Sequence, residues 1–321
     1  MIHVAGLTKE YDGLEAVRGI SFHVNAGEVF GLLGPNGAGK TSTIKMLTGL
    51  ARITRGSALI GGYDASRDMD RIKAIIGVVP DESNLYDELT GFANLCFCGA
   101  LYGMGRSERE ARARELLRQF GLEESSDRPF RAYSRGMKRR LTIAAALMHR
   151  PRILFLDEPT TGVDVASARQ IRQLLKELNA SGVVIFLTTH YIEEAERLCH
   201  RIALIVRGEI VRTGSPQELV KACERDTVMQ VTVGGPVSGL MDEMGGAFPD
   251  VRIERSGEES VKLRSARELD IYPVVAWLHG RGVKVLEARL VKPTLEDAFV
   301  ALTSVSAAEM KREREKEGRR G

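Results

Sequence analysis

An α/β fold with a parallel central sheet, followed by a small α+β unit, is predicted by three features of the sequence. The first is the run Gly34-Pro35-Asn36-Gly37-Ala38-Gly39-Lys40-Thr41, which fits G-x-x-x-x-G-K-[ST] at every fixed position. It stands between a short apolar stretch, residues 28–33, and a stretch with helical spacing and a glycine stop, residues 42–49, so a buried strand hands over to a helix there. The second is a pair of continuous apolar runs, residues 152–156 and 183–189, of the kind found in strands buried on both faces of a parallel sheet. The third is a change of pattern after Gly214-Ser215-Pro216, where alternating strands take over.

The glycine-rich run comes first along the chain. A loop of this composition is a phosphate cradle: glycines let backbone N–H groups turn inward, Lys40 supplies a point charge, and the Thr41 hydroxyl suits Mg²⁺. The helix that continues through Ser42 adds about half a positive charge at its N-terminus, directed at the same phosphates. An ordinary glycine-rich turn is the alternative, and the flanking strand and helix argue against it. The first apolar run then ends in Asp157-Glu158-Pro159, where proline halts the ladder. Asp157, at the carboxyl end of the strand, is placed to hold Mg²⁺ together with Thr41, directly or through water. Glu158 is placed to orient and polarise an attacking water. Adjacent acids at a strand end also cap helices, but an apolar strand leading to them downstream of a phosphate cradle favours the catalytic role. The second run delivers His190 to the same edge, where open α/β sheets gather ligand-binding groups; there it can hydrogen-bond a γ-phosphate and the attacking water.

A chain of 321 residues with 43% hydrophobic content has room for about two domains with real cores. The formal charge is +3, and residues 311–321, with six basic and three acidic side chains, account for it. The balanced remainder argues against a dedicated nucleic-acid binder. Residues 311–321 lack apolar groups to pack, and residues 305–321 are predicted to form a disordered, charged tail. Cys96, Cys98, Cys199 and Cys223 lie in mostly apolar surroundings without histidines at a metal-ligand spacing, and read as reduced core residues. No signal peptide opens the sequence and no apolar run approaches the roughly 20 residues that span a bilayer. A cytoplasmic protein without direct membrane insertion is expected, peripheral at the inner face of the membrane through a partner.

Between these runs lies Tyr133-Ser134-Arg135-Gly136-Met137-Lys138-Arg139-Arg140-Leu141, a polar turn that opens an amphipathic helix over residues 137–147. With it the chain resembles, over residues 1–220, the nucleotide-binding subunits of ABC transporters. The resemblance implies a P-loop NTPase core of the ABC ATPase kind with a mostly helical lobe at about residues 82–150. In that family the turn is a signature loop facing the nucleotide of a second subunit, so Ser134 and Gly136 would bind ATP across a homodimer; a helix N-terminus with free N–H groups suits that task. Tyr11 stands where the family places an aromatic that stacks on adenine. Asp164, in Thr161-Gly-Val-Asp164, matches the loop that bridges the two subunits. One position departs: the family usually has glutamine where this chain has Asp81, after the strand at residues 75–80. An ionised acid there can reach Mg²⁺ or water but cannot donate a hydrogen bond.

The lobe opens with Asn84-Leu-Tyr-Asp-Glu-Leu-Thr90. In transporters this edge receives a short helix of the membrane subunit, so Leu85, Tyr86 and Leu89 are candidate docking residues, with ordinary lobe core as the alternative. Residues 107–120, rich in Glu and Arg, read as a solvated helix. Residues 221–304 are expected to form a small α+β domain: strands at residues 227–233, 251–255, 260–264 and 283–290, a helix at 271–278, and Pro293 near the start of a last helix. That closing segment, with Met137 in the signature turn, resembles ATPase subunits of ABC-2 type exporters for drugs, antibiotics and lipids. The resemblance implies ATP and Mg²⁺ as cofactors, a second ATPase subunit and an integral membrane permease as partners, and ATP-driven dimer closure as the mechanism. Two rivals stand beside it, a soluble ABC-type ATPase acting on a macromolecular machine and a nucleotide-gated scaffold with little hydrolysis.

Overall fold

The structure is a computed structural model that describes residues 1–222, 227–291 and 293–303. Cys223 and the charged tail at 305–321 lie outside the described residues. The chain divides into two compact units, one built on Met1–Gln217 and one on Glu218–Ala301.

In the first unit the chain begins with β1 (Ile2–Tyr11) and β2 (Leu14–Val24), crosses through β3 (Val29–Leu33) into α1 (Lys40–Leu47), and returns as β4 (Arg55–Ile60) and β5 (Tyr63–Asp64). Strands β2-β1-β4-β5 form an antiparallel sheet. Next come α2 (Met69–Ile75), β6 (Ile76–Val79), the lobe helices α3 (Gly91–Leu101), α4 (Arg106–Gln119) and α5 (Arg135–Ala146), then β7 (Ile153–Asp157), α6 (Val165–Ala180), β8 (Val184–Thr189) and α7 (Ile192–Leu198). The hairpin β9 (Arg201–Val206) and β10 (Glu209–Gly214) follows, and helix α8 (Pro216–Lys221) runs across the division at Gln217. The second sheet runs β10-β9-β3-β8-β7-β6 and is parallel except for β10. All residues of β3, β7 and β8 are buried, as continuous apolar runs require.

Helix α1 touches both sheets, and its Ile44, Met46 and Leu47 join one core with Ile2, Phe22, Phe30 and Phe155. Within this core Phe22, Phe30 and Phe186 stack with centroids 5.4–5.8 Å apart. The antiparallel sheet is not among the elements expected from the sequence. Residues 107–120 are more than the expected solvated helix, because Ala113, Leu116 and Leu117 of α4, with Phe120 after it, are buried within the lobe. The charged residues occupy the other side of the helix, which explains how its apolar stripe was overlooked.

The second unit contains β11 (Thr227–Val233), α9 (Leu240–Ala247), β12 (Arg252–Arg255), β13 (Ser260–Ser265), α10 (Ile271–His279) and β14 (Val285–Val291). Its sheet, β12-β13-β11-β14, is antiparallel throughout. Met229, Val231, Val233, Val261 and Leu263 alternate inward onto Val274 and Leu278 of α10, as period-two patterning demands. Helix α11 (Leu295–Thr303) follows, opened by Thr294, whose hydroxyl and N–H both bond Asp297.

Candidate active site

The carboxyl ends of β3, β7 and β8 lie side by side, and the functional candidates collect there. After β3 the chain turns through Gly34, whose N–H bonds the Thr189 carbonyl at 3.2 Å. Gly39 closes the turn at φ 102°, and a Cβ there would lie 2.6 Å from the Ala16 carbonyl oxygen. Only glycine fits such a position. Pro35 is half-buried, Asn36 and Gly37 are exposed, Ala38 is buried, and Ala38 accepts from the Gly208 N–H. Lys40 and Thr41 start α1, where N–H groups of a first turn lack intrahelical acceptors. Thr41 is exposed at this opening and Ser42 is half-buried behind it.

Lys40 is buried, and its ammonium donates to the Gly34 carbonyl at 2.8 Å and the Pro35 carbonyl at 3.1 Å. It also stands 3.2 Å from Glu158 Oε1. The other carboxylate oxygen of Glu158 lies 2.9 Å from His190 Nδ1 and accepts from the Thr161 hydroxyl at 3.1 Å. Burial opposes ionisation of Glu158, but the hydrogen bond with His190 and the charge of Lys40 hold its carboxyl below the usual glutamate range. The backbone of Glu158 is left-handed, φ 50°, unusual for a side-chain-bearing residue, and its N–H is fixed by Thr188. The strand therefore ends at Asp157, and the next residue is twisted out of the ladder toward Lys40. Asp157 is buried, and one of its carboxylate oxygens accepts from the Thr188 hydroxyl.

A second cluster forms around the start of α5 and α6. Ser134 caps α5 by accepting from the Met137 N–H at 3.3 Å. Asp164 caps α6 by accepting from the Ser167 N–H at 2.9 Å. Gly136 packs so tightly on Ser167 that a Cβ would lie 2.1 Å from its hydroxyl oxygen. Ser134, Gly136 and Asp164 are thus held by one helix–helix contact. Tyr11 closes β1 opposite Leu14, with Lys9 4.5 Å above its ring, and that contact belongs to neither cluster. Asp81 is exposed just beyond β6. Leu85 and Leu89 are half-buried and Tyr86 is 56% exposed, so none belongs to the lobe core. The Asn94 side chain ties their loop down through the Tyr86, Leu89 and Thr90 carbonyls. Cys199 is buried, whereas Cys96 and Cys98 are half-buried on α3 rather than in the core; all three are free thiols.

Two further site residues emerge only from the structure. Glu194 of α7 is buried and accepts from the Thr160 hydroxyl at 2.7 Å. Arg139, also buried, reaches from α5 beneath the site. Its Nε donates to the Pro159 carbonyl at 3.0 Å, while its two terminal nitrogens donate to the carbonyls of Pro80, Asp81, Asp157 and Glu158. Burial draws its pKa down, opposed by the carboxylates of Asp81, Asp157, Glu194 and Glu158. A helical-face signal existed: Arg139 lies three residues after Gly136 and four before Ile143, on the buried stripe of α5.

A protein-family model described as ABC transporter matches residues 17–161. The chain is 37% identical over 306 residues to the linearmycin resistance ATP-binding protein LnrL of Bacillus subtilis (strain 168), covering 94% of this chain and 98% of that protein. It is 40% identical over 296 residues to the Nod factor export ATP-binding protein I of Paraburkholderia xenovorans (strain LB400), covering 92% and 94%. Among solved structures, an ATP-binding subunit of an ABC transporter matches with a TM-score of 0.63 at 30% identity, covering 69% of this chain and 92% of that one. A dimeric ATP-binding cassette in a post-hydrolysis state, bound to ADP and Pi, matches with a TM-score of 0.62 at 29% identity, covering 67% and 98%.

Proposed function

The chain belongs to the family of ATP-binding proteins of ABC transporters, and from that premise we propose that it hydrolyses ATP to power export through a separate ABC-2 type membrane permease. The observation that carries this reading is the junction of Lys40, Glu158 and His190, with Glu158 held 3.2 Å from the ammonium and 2.9 Å from the imidazole. Lys40 and the first-turn N–H groups of α1 receive the β- and γ-phosphates. Glu158, kept ionised, accepts hydrogen bonding from the attacking water, and His190 orients that carboxylate and meets the γ-phosphate. Asp157 and Thr41 would hold Mg²⁺, which when bound neutralises phosphate charge. Phosphate and water would complete the shell of an ion held by so few side chains, the mode Mg²⁺ favours.

Ser134, Gly136 and Asp164 act on the nucleotide of a second, identical chain, and Tyr11 offers a π face to its own adenine. Residues 1–220 form the nucleotide-binding domain with its lobe at 82–150, and residues 221–304 an accessory domain. No helix among the described residues is long and apolar enough to cross a membrane. The permease docks where Tyr86, Phe97 and Leu101 leave large apolar groups exposed, two of them in edge contact at 5.1 Å. The chain then works at the inner face of the membrane through that partner. The relatives named for linearmycin resistance and Nod factor export support export as the direction. The test is ATP turnover by the purified chain and by Glu158→Gln. The variant is expected to lose at least about a hundredfold in turnover while retaining ATP binding; undiminished turnover would refute the role given to Glu158.

A further inference from the structure

We propose that Arg139 is a positioning residue for hydrolysis: it locks the Asp81 loop and the Asp157–Glu158–Pro159 strand end to α5, and supplies the counter-charge that makes an acid at position 81 workable. The inference deepens the hydrolysis reading above and rests on it.

Three observations converge. A guanidinium has five N–H donors in a fixed fork, and this one meets five backbone carbonyls: Pro80 and Asp81 from the loop after β6, and Asp157, Glu158 and Pro159 from the end of β7. Two segments that do not adjoin in sequence are thereby fixed to one rigid group. The side chain is buried, 7% exposed, and its bonded acceptors are neutral carbonyls, so its full charge remains to act on its surroundings. Those surroundings are four carboxylates, Asp81, Asp157, Glu158 and Glu194, of which Asp81 acts most strongly on it.

Position 81 usually holds a neutral glutamine in the family that the chain resembles, and an acid there adds negative charge where phosphates must bind. Arg139, bonded to the Asp81 carbonyl at 3.1 Å, brings its positive charge to that residue. The same guanidinium stands five residues into the helix that Ser134 caps, so a shift of α5 is transmitted to the backbone of Glu158. No hydrogen-bond chain of this kind is available to a lysine, which has one nitrogen.

A double-mutant cycle on the full chain tests this, with Arg139→Gln, Asp81→Gln, both together, and Arg139→Lys, reading kcat, KM for ATP and thermal melting. Arg139→Gln is expected to lower kcat by about tenfold or more with KM for ATP changed less than about threefold. Asp81→Gln in that background is expected to restore kcat by at least about threefold, a non-additive result. Arg139→Lys should fall between, because it keeps the charge and loses the fork. If Arg139→Gln lowers only the melting temperature and folded protein turns over at the parental kcat, the positioning role is overturned. If Asp81→Gln changes kcat by the same factor with and without Arg139, the counter-charge is overturned. Should Arg139→Gln fail to fold, Arg139→Lys, which keeps the charge, tests the fork alone, and a parental kcat in folded Arg139→Lys overturns the positioning role. A parent chain without turnover would instead count against the hydrolysis reading itself.

Discussion

Glu158 and Glu194 are both buried, yet their surroundings push protonation in opposite directions. Burial raises the pKa of each; at Glu158 the hydrogen bond with His190 and the Lys40 charge reverse the effect, whereas at Glu194 the hydroxyls of Thr160 and Thr189 do not. The stability consequences have opposite signs. The depressed carboxyl of Glu158 contributes stability above the unfolded value of 4.5 and loses it as pH falls through the folded one. The raised carboxyl of Glu194 contributes fully below 4.5 and loses that contribution as pH rises through its folded value. Glu194→Gln, a neutral isostere, should therefore melt at a higher temperature than the parent, with a gap that widens as pH rises above 4.5 until Glu194 is fully ionised. Melting curves across that range decide it, and a gap independent of pH would show that Glu194 does not titrate in folding. At this scale Lys40, Asp157, Glu158 and His190 were legible because each ends or follows a strong strand signal. Arg139 and Glu194 were not, because charged residues on helices read as solvated unless their buried face is known, and that face is set by tertiary packing.

The contact between α5 and α6 carries the signature turn. Gly136 is required there because its missing side chain lets Ser167 approach, and Ser167 in turn donates to the cap Asp164. Gly136→Ala must push α6 outward, so both Ser134 and Asp164 should lose their relative placement. A destabilisation of about 1–3 kcal/mol is expected from overpacking. Turnover should fall much further than Lys40-dependent ATP binding, which lies on other elements. Chemical denaturation together with a nucleotide-binding titration measures both quantities; equal losses of binding and turnover would disconnect this contact from catalysis. The sequence showed the elements whose signal is continuous, β3, β7 and β8, and the alternating strands of the second unit. It hid β1 and β2 because register shifts between Val4 and Leu7, Leu7 and Lys9, and Lys9 and Glu10 interrupt the period-two pattern. In β2 the signal was present, Ile20, Phe22 and Val24 being buried and Ser21 and His23 exposed, but it spans only five residues. Helix α6 was equally readable in Ala168, Ile171, Leu174, Leu175 and Leu178, whose 3–4 spacing continues the cap at Asp164.

At the scale of the whole molecule, the Lys40–Glu158–His190 junction and the Ser134–Gly136–Asp164 cluster are built on different elements. If each nucleotide is held by the first cluster of one chain and the second cluster of another, a two-fold pair contains two such composite sites. Complementation follows from this geometry. Homodimers of Lys40→Ala have two defective cradles, and homodimers of Ser134→Ala have two defective signature turns, so each solution should turn over ATP slowly. A mixed pair keeps one site intact, with Lys40 from the Ser134→Ala chain and Ser134 from the Lys40→Ala chain, while the other site carries both defects. Mixing the two inactive proteins should then restore turnover to at least about tenfold above either alone, the span a single preorganised phosphate-binding group commands. Differently tagged chains allow the mixed pair to be isolated and assayed directly. A purified mixed pair that binds ATP yet turns over no faster than the parent homodimers of each variant would place both groups within one chain's site, or make two intact sites obligatory. A covalently linked pair carrying both substitutions on one half separates those outcomes: with both defects in one chain, each composite site is damaged once and the composite model predicts no recovery, whereas sites confined to single chains leave the other half fully active.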